Sequence, residues 1–206
     1  KAYLDRLRAI CDRHGILLIF DEVITAFGRT GSAFAAQTFG VRPDMITVAK
    51  GLTSGVIPMG AVLVDRRIYE ACMTGPEQAI EFFHGYTYSA HPACAAAGLA
   101  MMGIFRKEKL VERAAQMSPY FIDAMFSLSD LPVVTDIRAI GMLAAVEVAA
   151  DGTPGARGHE MQKRLFDAGI NIKSTGDNLI VAPPFISEKS HIDQVVSVMR
   201  DVLAKA

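Results

Sequence analysis

The chain has 206 residues, 51% of them hydrophobic and 21% charged, the composition of a soluble protein able to bury a core of its own. Lys+Arg 21 against Asp+Glu 22 leaves a net charge of -1, which excludes a global field that would recruit nucleic acid or an acidic membrane surface. The longest apolar run, residues 15–20, is far too short to span a bilayer, and Cys11, Cys72 and Cys94 lack CxxC spacing. Reduced packing thiols, a cytoplasmic location and no metal site are therefore expected.

In chain order, residues 1–14 place Leu4, Leu7 and Cys11 on one helical face and stop at Gly15, which predicts an amphipathic helix with a left-handed C-terminal cap. The chain opens on Lys1 with no capping residue ahead of that helix, so it reads as part of a longer polypeptide. Residues 16–20 are uniformly apolar, the pattern of a strand covered on both faces in a parallel sheet. Asp21 and Glu22 then stand at its carboxyl end, where open α/β sheets bind ligands.

After a loop punctuated by Gly28 and Gly31, residues 45–49 form a second apolar strand that delivers Lys50. Gly51, Gly55 and Pro58 keep the next backbone irregular, and residues 60–64 make a third strand. Asp21 and Lys50 are thus expected on one edge of one sheet. Residues 91–126 read as helical, with an interruption near Ser118 and Pro119. Strands at 133–140 and 142–148 flank Gly141, and a helix ending at Gly169 leads to short strands at 170–172 and 178–182. The last helix carries a capping box at Ser190 and Asp193 and a stripe of Ile192, Val195, Val196, Met199 and Leu203. An α/β region over residues 1–107 is therefore followed by an α+β region over 108–206.

Taken alone, Asp21 is open to two readings. It is a strand-end carboxylate that caps a helix or pairs with an arginine, or it belongs with Glu22 to a Walker B pattern, in which the Asp serves magnesium and the Glu a water. Lys50 narrows the choice. An ammonium at the end of an apolar strand is costly unless paired or deprotonated, and a desolvated lysine attacks an aldehyde to form a Schiff base. The alternative is that Lys50 snorkels to solvent.

Leu18-Ile-Phe-Asp-Glu-Val23, Ala26-Phe-Gly-Arg-Thr-Gly31 and Asp44-Met-Ile-Thr-Val-Ala-Lys50-Gly together resemble the signature of the class III aminotransferases, which depend on pyridoxal 5'-phosphate (PLP). Residues 83–92 resemble the phosphate-contact segment of that family, with wording similar to its ω-amino-acid:pyruvate and amine:pyruvate branches. The resemblance runs from Tyr3 to the end of the chain. It implies a fold-type-I α/β architecture: the second half of the large parallel-sheet, PLP-binding domain over residues 1–107, then the small α+β C-terminal domain over 108–206.

The resemblance also implies roles. Lys50 would carry the cofactor as a Schiff base and later shuttle a proton, and Asp21 would pair with the pyridine nitrogen. Val23 would pack on the ring, and Thr87 would donate its hydroxyl to the phosphate from the neighbouring subunit of a homodimer. Tyr86, with His84 and Tyr88, lines a substrate pocket or orders an interface. Arg29 pairs with Glu22 or holds the loop. Lys173 stands where many relatives place an arginine that grips the substrate carboxylate, and a point charge replaces a planar fork there. The implied reaction passes an amino group from an ω-amino acid or amine to a keto acid such as pyruvate, with residues 1–206 inactive on their own. The rival readings are an aminomutase or racemase of the same fold, and a Walker-B-type ATPase.

Overall fold

The first helix, α1 (Ala2–His14), ends where Gly15 adopts a left-handed φ of 64°, and the N–H of Ile16 folds back onto the carbonyl of Cys11 at 2.9 Å. The computed structural model describes residues 2–79, 82 and 84–206. It divides into two units: residues 1–27 with 32–109, and residues 28–31 with 110–206.

In the first unit α1 seats Cys11, Leu4 and Leu7 against Leu18, Phe20 and Val41. Strands β1 (Ile19–Asp21), β2 (Met45–Val48) and β3 (Ala61–Val64) form one sheet in that order. β1 and β2 are parallel, with Asp21 paired to Thr47, whereas β3 runs antiparallel to β2. The parallel pairing expected of this sheet holds for β1 and β2 but does not extend to β3. Residues 49–60 instead turn the chain straight back, and their only regular element is the single 3-10 turn Lys50–Leu52, without the crossover helix that a parallel return needs.

The first strand also differs from expectation. It starts at Ile19 rather than at residue 16, and Ile16, Leu17 and Ile19 are exposed. β1 is an edge strand among the described residues, so its apolar run reports a side that nothing described here covers. The unit is tied together by buried Asp44. Its carboxylate accepts from the Leu18 N–H at 2.7 Å and from Arg8 Nη1 at 2.8 Å, and it pairs with Arg67. A buried carboxylate with three donors is compensated, and it pins the start of β1 to α1 and to α3 (Arg66–Cys72).

The helical stretch after residue 91 breaks at Glu108–Lys109, not at Pro119: α4 spans Pro92–Lys107, α5 spans Leu110–Phe126, and Lys109 takes a left-handed φ of 51°. Pro119 lies inside α5. An interior proline costs about 3 kcal/mol, and α5 offsets it by burying Leu110, Ala114, Phe121 and Met125, since a fully buried apolar side chain contributes roughly 1.5–3 kcal/mol.

The second unit is an antiparallel sheet, β4 (Val134–Ile140), β5 (Leu143–Val148), β7 (Asn178–Val181) and β6 (Lys173–Thr175) in spatial order. Burial alternates along β5 and β7, so one face is core. α5, α6 (Ala156–Asp167) and α7 (Lys189–Leu203) share that core through Met125, Leu165 and Met199, which meet Val146 and Leu179. Two local expectations shift. The strand expected at 170–172 begins at Lys173, and α7 is capped by the Glu188 N–H donating to His191 Nδ1 at 3.0 Å rather than by Ser190 and Asp193. Asp193 accepts instead from the Tyr120 hydroxyl.

Candidate active site

Parallel neighbours end at the same sheet edge, and this places Asp21, the last residue of β1, and Lys50, two residues beyond β2, along one edge of the first unit's sheet. Asp21 is exposed. Its Oδ1 accepts two hydrogen bonds, from the Val23 N–H at 3.2 Å and from Thr47 Oγ1 at 3.0 Å. Its Oδ2 accepts none among the described residues. Thr47 holds this segment twice, because its carbonyl also accepts from the Glu22 N–H at 3.0 Å.

Lys50 has a left-handed φ of 43°, a conformation that costs a non-glycine residue and persists only where its surroundings impose it. Gly51 explains part of that imposition. A Cβ there would lie 3.1 Å from the Cβ of Phe27, whose ring is itself flanked by Phe34 and Phe105 at centroid distances of 6.2 and 6.1 Å. Thr53 Oγ1 closes the turn by donating to the Ile57 carbonyl at 2.6 Å. Lys50 joins Ala49, Thr53, Ile57, Pro58 and Met59 in lining an open pocket of about 640 Å³. Asp21 is not part of that lining. Lys50 is exposed and makes no ion pair among the described residues, so the expected desolvation of its amine is not supplied by them.

Glu22 behaves unlike its neighbour. It is 1% exposed, and its carboxylate accepts from the backbone N–H groups of Ala35 at 2.6 Å and Ala36 at 2.8 Å, and from Thr25 Oγ1 at 3.2 Å. An acid spent in this way fastens the loop to the start of α2 (Ala35–Phe39), and it is not free to orient a water as the Walker B reading requires. Arg29 likewise has partners of its own. Within the second unit its Nη1 donates to the carbonyls of Met142 and Pro183, each at 2.8 Å, its guanidinium lies 4.4 Å from the Phe185 ring centroid, and burial lowers its pKa.

The remaining expected residues sit on separate segments of the chain. Val23 is half-buried, two residues past Asp21. Thr87 and Tyr86 are exposed in the turn ahead of α4, where His91 Nδ1 caps the helix by accepting from the Ala93 N–H at 3.2 Å. His84 stacks edge-on against Tyr86 at 5.9 Å, and Phe83 of the same segment lies outside the described residues. Lys173 is exposed at the start of the edge strand β6 of the second unit. Sequence reasoning missed Thr47 as a partner of Asp21 and Glu22 as an anchor. The only signal was their place in strand-end motifs, because register is a tertiary property.

No group of three metal-ligating side chains and no helix long and apolar enough to cross a membrane occurs among the described residues. The class-III aminotransferase family model matches residues 1–203. The chain is 52% identical over 206 residues to an omega-aminotransferase of Caulobacter vibrioides, covering all of this chain and 47% of that protein. It is 45% identical over 208 residues to an omega-amino acid–pyruvate aminotransferase of Pseudomonas putida, covering all of this chain and 46% of that one. Among solved structures, the omega transaminase of Pseudomonas jessenii in complex with PMP superposes with a TM-score of 0.91 at 32% identity, over all of this chain and 47% of its own. The chain thus spans about half the length of the curated relatives it matches.

Proposed function

The chain belongs to the class-III aminotransferases and has their fold-type-I architecture, and we propose that Asp21 and Lys50 are the two ends of its PLP site. The observation that carries this reading is their delivery to one sheet edge by parallel neighbours, with Oδ2 of Asp21 and the amine of Lys50 both left without protein partners among the described residues. These residues fit the cofactor: a carboxylate oxygen is free for a pyridinium N–H, and a primary amine is free for an aldehyde. Bound PLP supplies an electron sink for the carbon that loses its proton.

The chain's own side chains do the rest. Lys50 would hold the cofactor through its Nζ and, when that nitrogen is free, would carry a proton on it. Asp21 would hold the protonated ring nitrogen through Oδ2. Val23 would pack against the cofactor ring, and Thr87 would donate its hydroxyl to the phosphate across a homodimer interface. Tyr86 borders the substrate, and Lys173 offers a single positive charge to a donor carboxylate. The donor is an ω-amino acid or amine and the acceptor a keto acid such as pyruvate, in keeping with the activities named for the relatives. Both Asp21 and Lys50 are exposed in residues 1–206, so these residues alone do not make the dry site that catalysis needs. The proposed large and small domains are residues 1–107 and 108–206, although residues 28–31 group with the second of the two units and residues 108–109 with the first.

The test is amino transfer by the intact protein. Incubation with an ω-amino acid and pyruvate is expected to yield alanine, and K50A is expected to abolish it. Rearranged or racemised donor formed without any keto acid would replace this reading with the mutase or racemase one. Measurable turnover by purified residues 1–206 would remove the claim that they are inactive alone.

A further inference from the structure

We propose that Thr47 is a positioning residue for Asp21, fixing which carboxylate oxygen faces the cofactor; the inference rests on the PLP reading above. A carboxylate at the end of an edge strand has two free torsions, and an exposed Asp samples several rotamers. Here both torsions are set. Oδ1 is held from two directions, by the Val23 N–H of its own turn at 3.2 Å and by Thr47 Oγ1 of the neighbouring strand at 3.0 Å. The second donor exists because Asp21 and Thr47 are register partners in a parallel pair, which sets their side chains side by side.

Thr47 is itself immobilised. It is inside β2, it is β-branched, and its carbonyl accepts from the Glu22 N–H at 3.0 Å. Glu22 is anchored in turn by the N–H groups of Ala35 and Ala36. The chain of contacts therefore runs from the start of α2 through Glu22 and Thr47 to a single oxygen of Asp21. Among the described residues it leaves Oδ2 of Asp21 oriented and unclaimed.

Thr47→Val keeps the branched shape and removes the donor, whereas Thr47→Ser keeps the donor and removes a methyl. The intact holoenzyme is the material, and two readouts apart from turnover are taken: the rate of cofactor loss followed by absorbance, and the ratio of the two absorbance bands of the bound cofactor at fixed pH. T47V is expected to lose cofactor about 10-fold faster than wild type, as loss of one hydrogen bond to a charged group predicts, and to shift the band ratio. T47S is expected to stay within about 2-fold on both, since its donor remains. A T47V protein indistinguishable from wild type, or a T47S protein as impaired as T47V, overturns the positioning role while leaving the PLP reading intact. A wild-type protein that holds no PLP overturns both, and that outcome is recognised before any variant is made.

Discussion

Arg29 and Met142 hold one another by two hydrogen bonds: the Met142 N–H donates to the Arg29 carbonyl at 2.9 Å, and Arg29 Nη1 donates to the Met142 carbonyl at 2.8 Å. This pairing seats residues 28–31 on the β4–β5 turn of the second unit. Gly141 makes it possible, because a Cβ there would lie 2.3 Å from the Arg29 carbonyl oxygen, and its φ is 59°. Gly141→Ala adds a left-handed penalty to a backbone clash and is expected to destabilise the protein by about 3 kcal/mol or more. Urea denaturation of wild type and G141A checks this, and an unchanged midpoint would refute the close approach.

Glu22 is the next most exacting position. Glu22→Ala strands two backbone donors at the start of α2 without their acceptor, which is expected to cost about 2–4 kcal/mol. Glu22→Gln retains one acceptor oxygen and is expected to lose less. Thermal unfolding distinguishes them: the order wild type, E22Q, E22A is predicted, and an E22A protein as stable as wild type would contradict the anchoring role.

Asp177 gives an acid-dependent signature. Its pKa is lowered below the ordinary 3.8 by hydrogen bonds from the Gly155 and Gly158 N–H groups at the start of α6, against a smaller opposing effect of burial, with Arg157 adding attraction. A carboxylate with a depressed folded pKa contributes stability that is present above its unfolded value and is lost as pH falls through the folded one. Asp177→Asn is therefore expected to lower the unfolding temperature at neutral pH, and the difference from wild type is expected to close only below about pH 3.8. A difference that stays constant through that acid range would argue against this linkage.

Lys173 tests substrate recognition. If it meets the donor carboxylate as proposed, Lys173→Ala raises KM for an ω-amino acid by roughly 2- to 5-fold, the scale of an exposed charge pair. A simple amine lacking the carboxylate is expected to be unaffected. Equal effects on both donors would remove Lys173 from the site.

Much of this was legible in the chain itself. The period of residues 1–14 with Gly15 gave α1, and the apolar runs ending in Asp21 and Lys50 placed both residues at one sheet edge. What escaped was set by partners distant in sequence. The direction of β3 depends on how residues 49–60 turn, and Pro119 is carried inside α5 by tertiary burial that outweighs its local preference. Thr47 faces Asp21 only through a register that no local pattern encodes. The exposure of Lys50 also ran against its apolar approach, because an apolar run reports that a strand is to be covered but not by what.

The central claim is that Lys50 carries the cofactor, and borohydride reduction of the PLP-loaded intact protein followed by peptide mapping tests it most directly. The account predicts a pyridoxyl group on Lys50 and its absence after Lys50→Ala. A label on a different lysine, or none on the wild-type protein, would contradict it.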